Sequence, residues 1–129
     1  MNKYELFNGT ALAYIGDSYY DLMVKRYLID KGYTKVNDLH KLAEKYVSAD
    51  SQAYAVTELS ARGLLTGTES EIVKRGRNAK INHAKNNVSL YVYKQSTSYE
   101  ALIGYLYLLN YFERLADIID ATVKIIESR

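Results

Sequence analysis

Two glycines lie inside helical stretches far apart in the chain, each within a turn of a carboxylate: Ala13-Tyr14-Ile15-Gly16-Asp17 and Glu100-Ala101-Leu102-Ile103-Gly104. A glycine in a helix interior costs roughly 1 kcal/mol relative to alanine. A sequence that keeps two of them needs a reason, and close approach of two backbones is one. The pattern predicts two helices crossing at their glycines, which would bring Asp17 and Glu100 together across the crossing. Two carboxylates sharing a cleft, with no histidine or cysteine beside them in sequence, suit a hard divalent cation such as magnesium.

The rest of the sequence is compatible with an all-α domain. There is no proline in 129 residues, so the usual helix breaker is missing. At this length the chain reads as one domain, residues 1–129 with a core of about 8–127. A hydrophobic share of 48% is enough to build a core and argues against a disordered chain. No apolar run approaches the ~20 residues of a membrane span, and the start Met1-Asn2-Lys3-Tyr4-Glu5-Leu6 lacks the apolar stretch of a secretory signal. The absence of cysteine excludes disulfides, zinc–thiolate sites and thiol chemistry. A cytoplasmic protein is expected. Tyrosine occurs fourteen times and tryptophan never. Tyrosine is then either the core aromatic of this protein, with hydroxyls reaching the surface, or in part an interface residue.

Six or seven helices are predicted. The first runs from Asn8 or Thr10 to Lys31, with Gly32 as its stop. The second covers about Asn37–Tyr46. The third covers Ser48–Arg62, with Ala53, Val56 and Leu59 inward and Gly63 ending it. Thr68-Glu69-Ser70-Glu71 reads as a capping box opening a short helix to about Arg75. Residues 76–97 carry the weakest helical signal, and Val88–Tyr93 reads as an extended linker or a short helix end. Ser98 or Ser96 caps a helix to Leu109, which would leave Glu100 in its first turn. Asn110 caps a last helix to Glu127.

Charge is unevenly spread. Residues 74–85 hold Lys74, Arg75, Arg77, Lys80 and Lys85 with no acid, a segment of +5 in a chain of net +2. Such a segment on a mildly acidic body is a footprint for a polyanion, or else a merely solvated basic loop. Each acid also has a bland reading. Asp17 can be a solvated helix residue, Glu100 can owe its place to the helix dipole, and Asp21 has Lys25 one turn on, leaving it an auxiliary acid at best. His40 reads as a helix-surface residue and His83 as a loop residue near a nucleic acid. No glycine-rich phosphate loop is present.

Leu12-Ala13-Tyr14-Ile15-Gly16-Asp17, followed at distance by Tyr99-Glu100-Ala101-Leu102-Ile103-Gly104-Tyr105-Leu106-Tyr107, resembles the ribonuclease III endonuclease domain. Leu39-His40-Lys41-Leu42 and Tyr46-Val47-Ser48 fit the segment between them. Val73-Lys74-Arg75-Gly76-Arg77-Asn78-Ala79-Lys80 is similar to the Mini-III branch in particular. The resemblance spans about residues 8–120.

This resemblance implies an all-helical, homodimeric endonuclease that cuts double-stranded RNA with magnesium. Asp17 and Glu100 would be its catalytic, metal-binding acids. Lys74, Arg75, Arg77, Asn78, Lys80 and Lys85 would contact RNA, with Asn82 as a further partner. Tyr14 would enter the surface of the second copy, with Ile15 and Tyr105 nearby. The family's substrate points to maturation of the large-subunit (23S) ribosomal RNA precursor, with a ribosomal protein or pre-ribosome as a further partner. Two departures from the wider ribonuclease III pattern stand out. Acids usual four residues before the aspartate and three before the glutamate are Ala13 and Thr97 here, which implies weak metal affinity. No C-terminal double-stranded-RNA-binding domain is expected, so RNA affinity would come from the catalytic domain. The rival reading is a non-catalytic RNA-binding or ribosome-assembly module that kept the fold.

Overall fold

The computed structural model describes residues 3, 7–80 and 88–129, and these contain six helices and no strand. They are α1 (Gly9–Asp30), α2 (Val36–Val47), α3 (Ala49–Ala61), α4 (Gly67–Arg77), α5 (Leu90–Leu108) and α6 (Phe112–Glu127). Helix α5 is the central element: α1, α3 and α4 all pack mainly against it.

Asn8 caps α1 as expected, its side chain accepting the Ala11 N–H at 2.8 Å. Gly32 and Gly63 follow α1 and α3 with φ of 103° and 68°, the left-handed backbone that glycine adopts without steric cost. Three local expectations need correction. The capping box of α4 is Thr66 and Glu69, not Thr68 and Glu71: the Glu69 N–H donates to Thr66 Oγ1 at 3.1 Å and the Thr66 N–H donates to Glu69 Oε1 at 2.9 Å. Glu69 is fixed there by Arg114, whose guanidinium donates to both carboxylate oxygens at 2.7 and 2.8 Å.

The second correction concerns α5. It begins at Leu90 under a Ser89 cap, so Leu90–Tyr93 forms the first turn of a long helix and is neither an extended linker nor a short helix end. Ser96, Thr97 and Ser98 lie inside the helix, and their hydroxyls donate backward to the carbonyls of Tyr93, Tyr93 and Gln95. These hydroxyls are satisfied without ending the helix. Glu100 therefore sits in mid-helix, where the dipole argument for its presence no longer applies. Third, Asn110 does not cap α6. It takes φ 61° at the turn after α5, a conformation asparagine tolerates better than most residues.

The main core is built from Tyr20, Val24 and Leu28 of α1, Val56 and Leu59 of α3, Tyr99, Leu102 and Ile103 of α5, and Leu115 and Ile118 of α6. Tyr20 and Tyr99 meet edge to face at 5.0 Å. Their hydroxyls donate to the Tyr46 carbonyl and to Thr122 Oγ1, and burial raises the pKa of both phenols, so they stay neutral. For these residues tyrosine is a core aromatic with a satisfied polar tip. A second cluster of Leu12, Ala13, Ile72, Ala101 and Tyr105 joins α1, α4 and α5. The last turn of α6 is held by Glu127, whose Oε2 accepts from Tyr27 and Tyr46 at 2.7 and 2.6 Å.

Candidate active site

The crossing of α1 and α5 determines the site. A Cβ on Gly16 would lie 1.8 Å from the Glu100 carbonyl oxygen, and one on Gly104 would lie 1.9 Å from the Leu12 carbonyl oxygen. No side chain fits at such distances. The two glycines allow backbone to rest against backbone, and the residues beside them are delivered to one place. Asp17 and Glu100 both line a cleft of about 350 Å³, whose other walls include Thr10, Ala13, Tyr14 and Ser18 of α1, Gln52 of α3, and Tyr93, Ser96 and Thr97 of α5. Asp17 is exposed and Glu100 half-buried.

The donor chemistry around the two acids is oxygen only. Ala13 offers the cleft no donor, and Thr97 offers a neutral hydroxyl, whose proton goes to the Tyr93 carbonyl at 3.0 Å, in place of a carboxylate. Among the described residues no group of three or more histidines, cysteines or acids gathers anywhere. Two carboxylates with the hydroxyls of Thr10 and Ser18 at hand fit a hard cation that keeps much of its water, the habit of magnesium. Asp21 does not line this cleft. It pairs with Lys25 at 2.8 Å, the bland reading of that residue.

A second close approach places the basic segment. Gly9 lies against Arg75 and Gly76, where an added Cβ would be 2.7 Å from the Arg75 carbonyl oxygen, and Gly76 lies equally close to the Ser98 Cα. The C-terminal end of α4 is thereby pinned to the start of α1, next to Thr10 of the cleft. Lys74, Arg75 and Arg77 fall in the last turn of α4, where cations also complement the helix dipole. The Arg75 guanidinium donates to the Phe7 carbonyl at 3.2 Å. Asn78 and Lys80 follow on the surface, while Asn82, His83 and Lys85 lie outside the described residues. His40 is exposed on α2, away from the cleft.

Of the residues expected at a subunit contact, Tyr14 is 82% exposed, although it belongs to a helix whose other face is core. Ile15 is half-buried. Tyr105 is only 3% exposed, packed into the second cluster between α1 and α4, and its remaining surface opens on a hollow shared with Thr66, Thr68, Tyr111 and Arg114.

A model of the family described as the Ribonuclease III domain matches residues 10–111, a span that holds both glycines and both acids. The chain belongs to the ribonuclease III family. A Mini-ribonuclease 3 from Enterococcus faecalis is 41% identical to it over 96% of this chain and 94% of its own length. One from Staphylococcus aureus is 39% identical over 99% of this chain and 96% of its own. A solved structure of a Fusobacterium nucleatum protein superposes with a TM-score of 0.82 at 28% identity, covering 92% of this chain and 95% of that one. The chain thus falls in the Mini-III branch of the ribonuclease III family, and the activity that goes with the family is that of an endoribonuclease.

The cleft also contains residues that no sequence motif singles out: Thr10, Ser18, Gln52 and Tyr93. Gln52 leaves a readable signal all the same. Positions 52, 55, 56 and 59 share one helical face, and a glutamine among Ala55, Val56 and Leu59 is a polar group on an apolar stripe.

Proposed function

We propose that this ribonuclease III-family chain is a magnesium-dependent endoribonuclease that cuts double-stranded RNA in the cleft between α1 and α5, acting on the large-subunit ribosomal RNA precursor in the cytoplasm as a homodimer. The observation that carries the reading is the Gly16–Gly104 crossing, which sets Asp17 and Glu100 on one cleft. The resemblance of the chain to Mini-III enzymes supports the choice of substrate, and the exposure of Tyr14 supports the dimer.

The carboxylates of Asp17 and Glu100 would hold the magnesium ion. When bound, the ion supplies a water nucleophile at neutral pH and offsets charge on the scissile phosphate. The chain's own residues do the rest. Asp17 and Glu100 bring two negative charges to the cleft, which draws the cation in and orients the phosphate only once the cation is there. Lys74, Arg77, Asn78 and Lys80 beside the start of α1 hold flanking phosphates and fix the duplex in register. Contacts of this kind give position more than sequence, because an A-form duplex is read chiefly by its shape and its 2′-hydroxyls. Two copies related by a two-fold axis would present one cleft to each strand.

The test is incubation with long duplex RNA, with magnesium and with a chelator, beside Asp17→Asn and Glu100→Gln. Cleavage by the unaltered protein with magnesium alone, and its loss in both variants, is the expected result. Intact RNA at low salt with ample magnesium would overturn the nuclease reading. Binding without cleavage would leave the assembly-module alternative in its place. A precursor of 23S ribosomal RNA trimmed no faster than an unrelated duplex would remove the substrate assignment alone.

A further inference from the structure

Gly76 is the last inward residue of α4. The buried positions of that helix, Glu69, Ile72, Val73 and Gly76, recur every three or four residues and so share one face. Gly76 does not have the left-handed backbone that calls for glycine, and neither does Gly9. The space around them is the reason for both. A Cβ on Gly76 would lie 2.7 Å from the Ser98 Cα, 2.9 Å from the Ala101 Cβ and 3.2 Å from the Thr97 carbonyl oxygen. A Cβ on Gly9 would lie 2.7 Å from the Gly76 Cα. Backbone of α1, α4 and α5 therefore meets at one point.

The α5 residues of this junction bracket Glu100. Thr97 and Ser98 precede it by three and two positions and Ala101 follows it, and Thr97 itself lines the cleft. On the α4 side Arg77 follows Gly76 and Lys74 precedes it by two, so two of the cations proposed to hold RNA stand within a helical turn of the contact. Arg75, in the same turn, ties its guanidinium to the Phe7 carbonyl at 3.2 Å. The far end of α4 is held as well, by the paired hydrogen bonds from Arg114 to Glu69. A close-packed junction of this kind transmits a displacement instead of absorbing it. The cations of α4 and the acids of α1 and α5 thus belong to one rigid frame.

Affinity and turnover make different demands on that frame. Binding needs cations near the duplex, and long lysine and arginine side chains can follow a phosphate that moves. Cutting needs the scissile bond where Asp17 and Glu100 act, and a misplacement of about 1 Å can cost about 100-fold in rate. We propose that Gly76 is a positioning residue of the reaction: its contact with α5 sets the spacing between the phosphates held by Lys74 and Arg77 and the phosphate that is cut. The proposal rests on the double-stranded-RNA reading of the cleft, and Gly76 acts in it through the α4 cations alone.

The test compares Gly76→Ala with the unaltered protein on an end-labelled RNA duplex. Because α5 is packed against α1, α3 and α4 together, the end of α4 is the part that should yield. Affinity, measured in the Asp17→Asn background so that nothing is cut, should stay within about threefold because no phosphate contact is removed. The single-turnover rate at saturating protein should fall about 100-fold. Its magnesium dependence should not move, and cutting should spread to phosphates beside those the unaltered protein prefers. Gly9→Ala presses on the same turn of α4 from α1 and should act in the same way. Circular dichroism checks each fold; if Gly76→Ala does not fold, Gly9→Ala, at the first residue of its helix, decides alone. A purely structural role would lower the rate in proportion to the folded fraction and leave the cut pattern where it was. That result, an unchanged rate, or a loss of affinity as large as the loss of rate overturns the proposal. A shifted magnesium dependence with the cut pattern kept would place the effect on Glu100 itself and overturns it too. If the unaltered protein cuts no duplex at all, the functional reading falls, and this inference with it.

Discussion

At Gly104 a single methyl group would stand 1.9 Å from a backbone carbonyl of α1, with no flexible side chain to yield. Gly104→Ala must therefore push two helices apart through the middle of the core. We expect a loss of at least about 3 kcal/mol, at or beyond the upper end of ordinary overpacking, measured as a fall in the urea midpoint. Asp17→Asn and Glu100→Gln are different in kind. Asp17 is exposed, so its neutral variant should lower stability by no more than about 0.5 kcal/mol. Magnesium-dependent cleavage should drop by about 100-fold or more in each, because a positioned charge is lost where the reaction needs it. A variant that kept near-normal turnover would remove its residue from the catalytic role. The pair is legible in the sequence because a glycine beside an acid is costly in a helix and demands an explanation. For Gln52 the local pattern shows a polar group on an apolar stripe and no more; that it lines the same cleft as those acids follows from how α3 packs on α5.

The same distinction holds for whole elements. Helix α1 can be read from Asn8 to its end because its cap and Gly32 agree, although its buried face, Leu12, Ala13, Gly16, Tyr20, Val24 and Leu28, carries two small residues, Ala13 and Gly16, that an apolar pattern does not mark. The start of α5 is easily misplaced because Ser96, Thr97 and Ser98 are cap-type residues, and only the structure shows their hydroxyls turned back onto Tyr93 and Gln95 carbonyls. The start of α4 is ambiguous by two residues since two Thr-x-x-Glu patterns overlap there. Arg114, forty-five residues on from Glu69, decides between them by clamping that carboxylate. Arg114→Met should accordingly cost about 3 kcal/mol, the penalty for leaving a buried carboxylate without its partner, with Thr66→Ala costing about 1 kcal/mol. Thermal melts of both variants provide the check, and a Thr66 effect larger than the Arg114 effect would contradict this ranking. At the other end of α4, replacing Lys74, Arg77 and Lys80 by glutamine should weaken duplex binding at every sequence alike. The slope of log affinity against log salt should flatten by about 1 for each phosphate that is no longer neutralised. An unchanged slope would dissociate the basic segment from RNA.

For the molecule as a whole, two of the described carboxylates, Glu69 and Glu127, should contribute to the acid limit of stability. Burial alone would raise the pKa of Glu69, but the Arg114 and Thr66 hydrogen bonds and the Arg114 charge together outweigh it and hold the group below its ordinary range. Glu127 is held low mainly by the Tyr46 hydroxyl and then by Tyr27, against a smaller effect of burial. A group whose folded pKa is lowered stabilises the fold above its unfolded value, about 4.3 for glutamate, and that contribution is lost as pH falls through the folded value. Stability should thus be flat with respect to these two groups near neutrality and decline below about pH 4–5. Glu69→Gln should flatten that decline, and an unaltered acid limb in the variant would show that Glu69 does not govern it.

The backbone contact at the crossing also bears on how the protein fails when heated. Many enzymes lose their sites first, because a mobile loop carries the catalytic groups and melts before the body does. Here the proposed catalytic acids, Asp17 and Glu100, ride on two helices whose main chains touch, and separating them means dismantling the centre of the molecule. Catalytic competence and helical structure should therefore disappear over the same few degrees, with no warm interval in which a folded protein is idle.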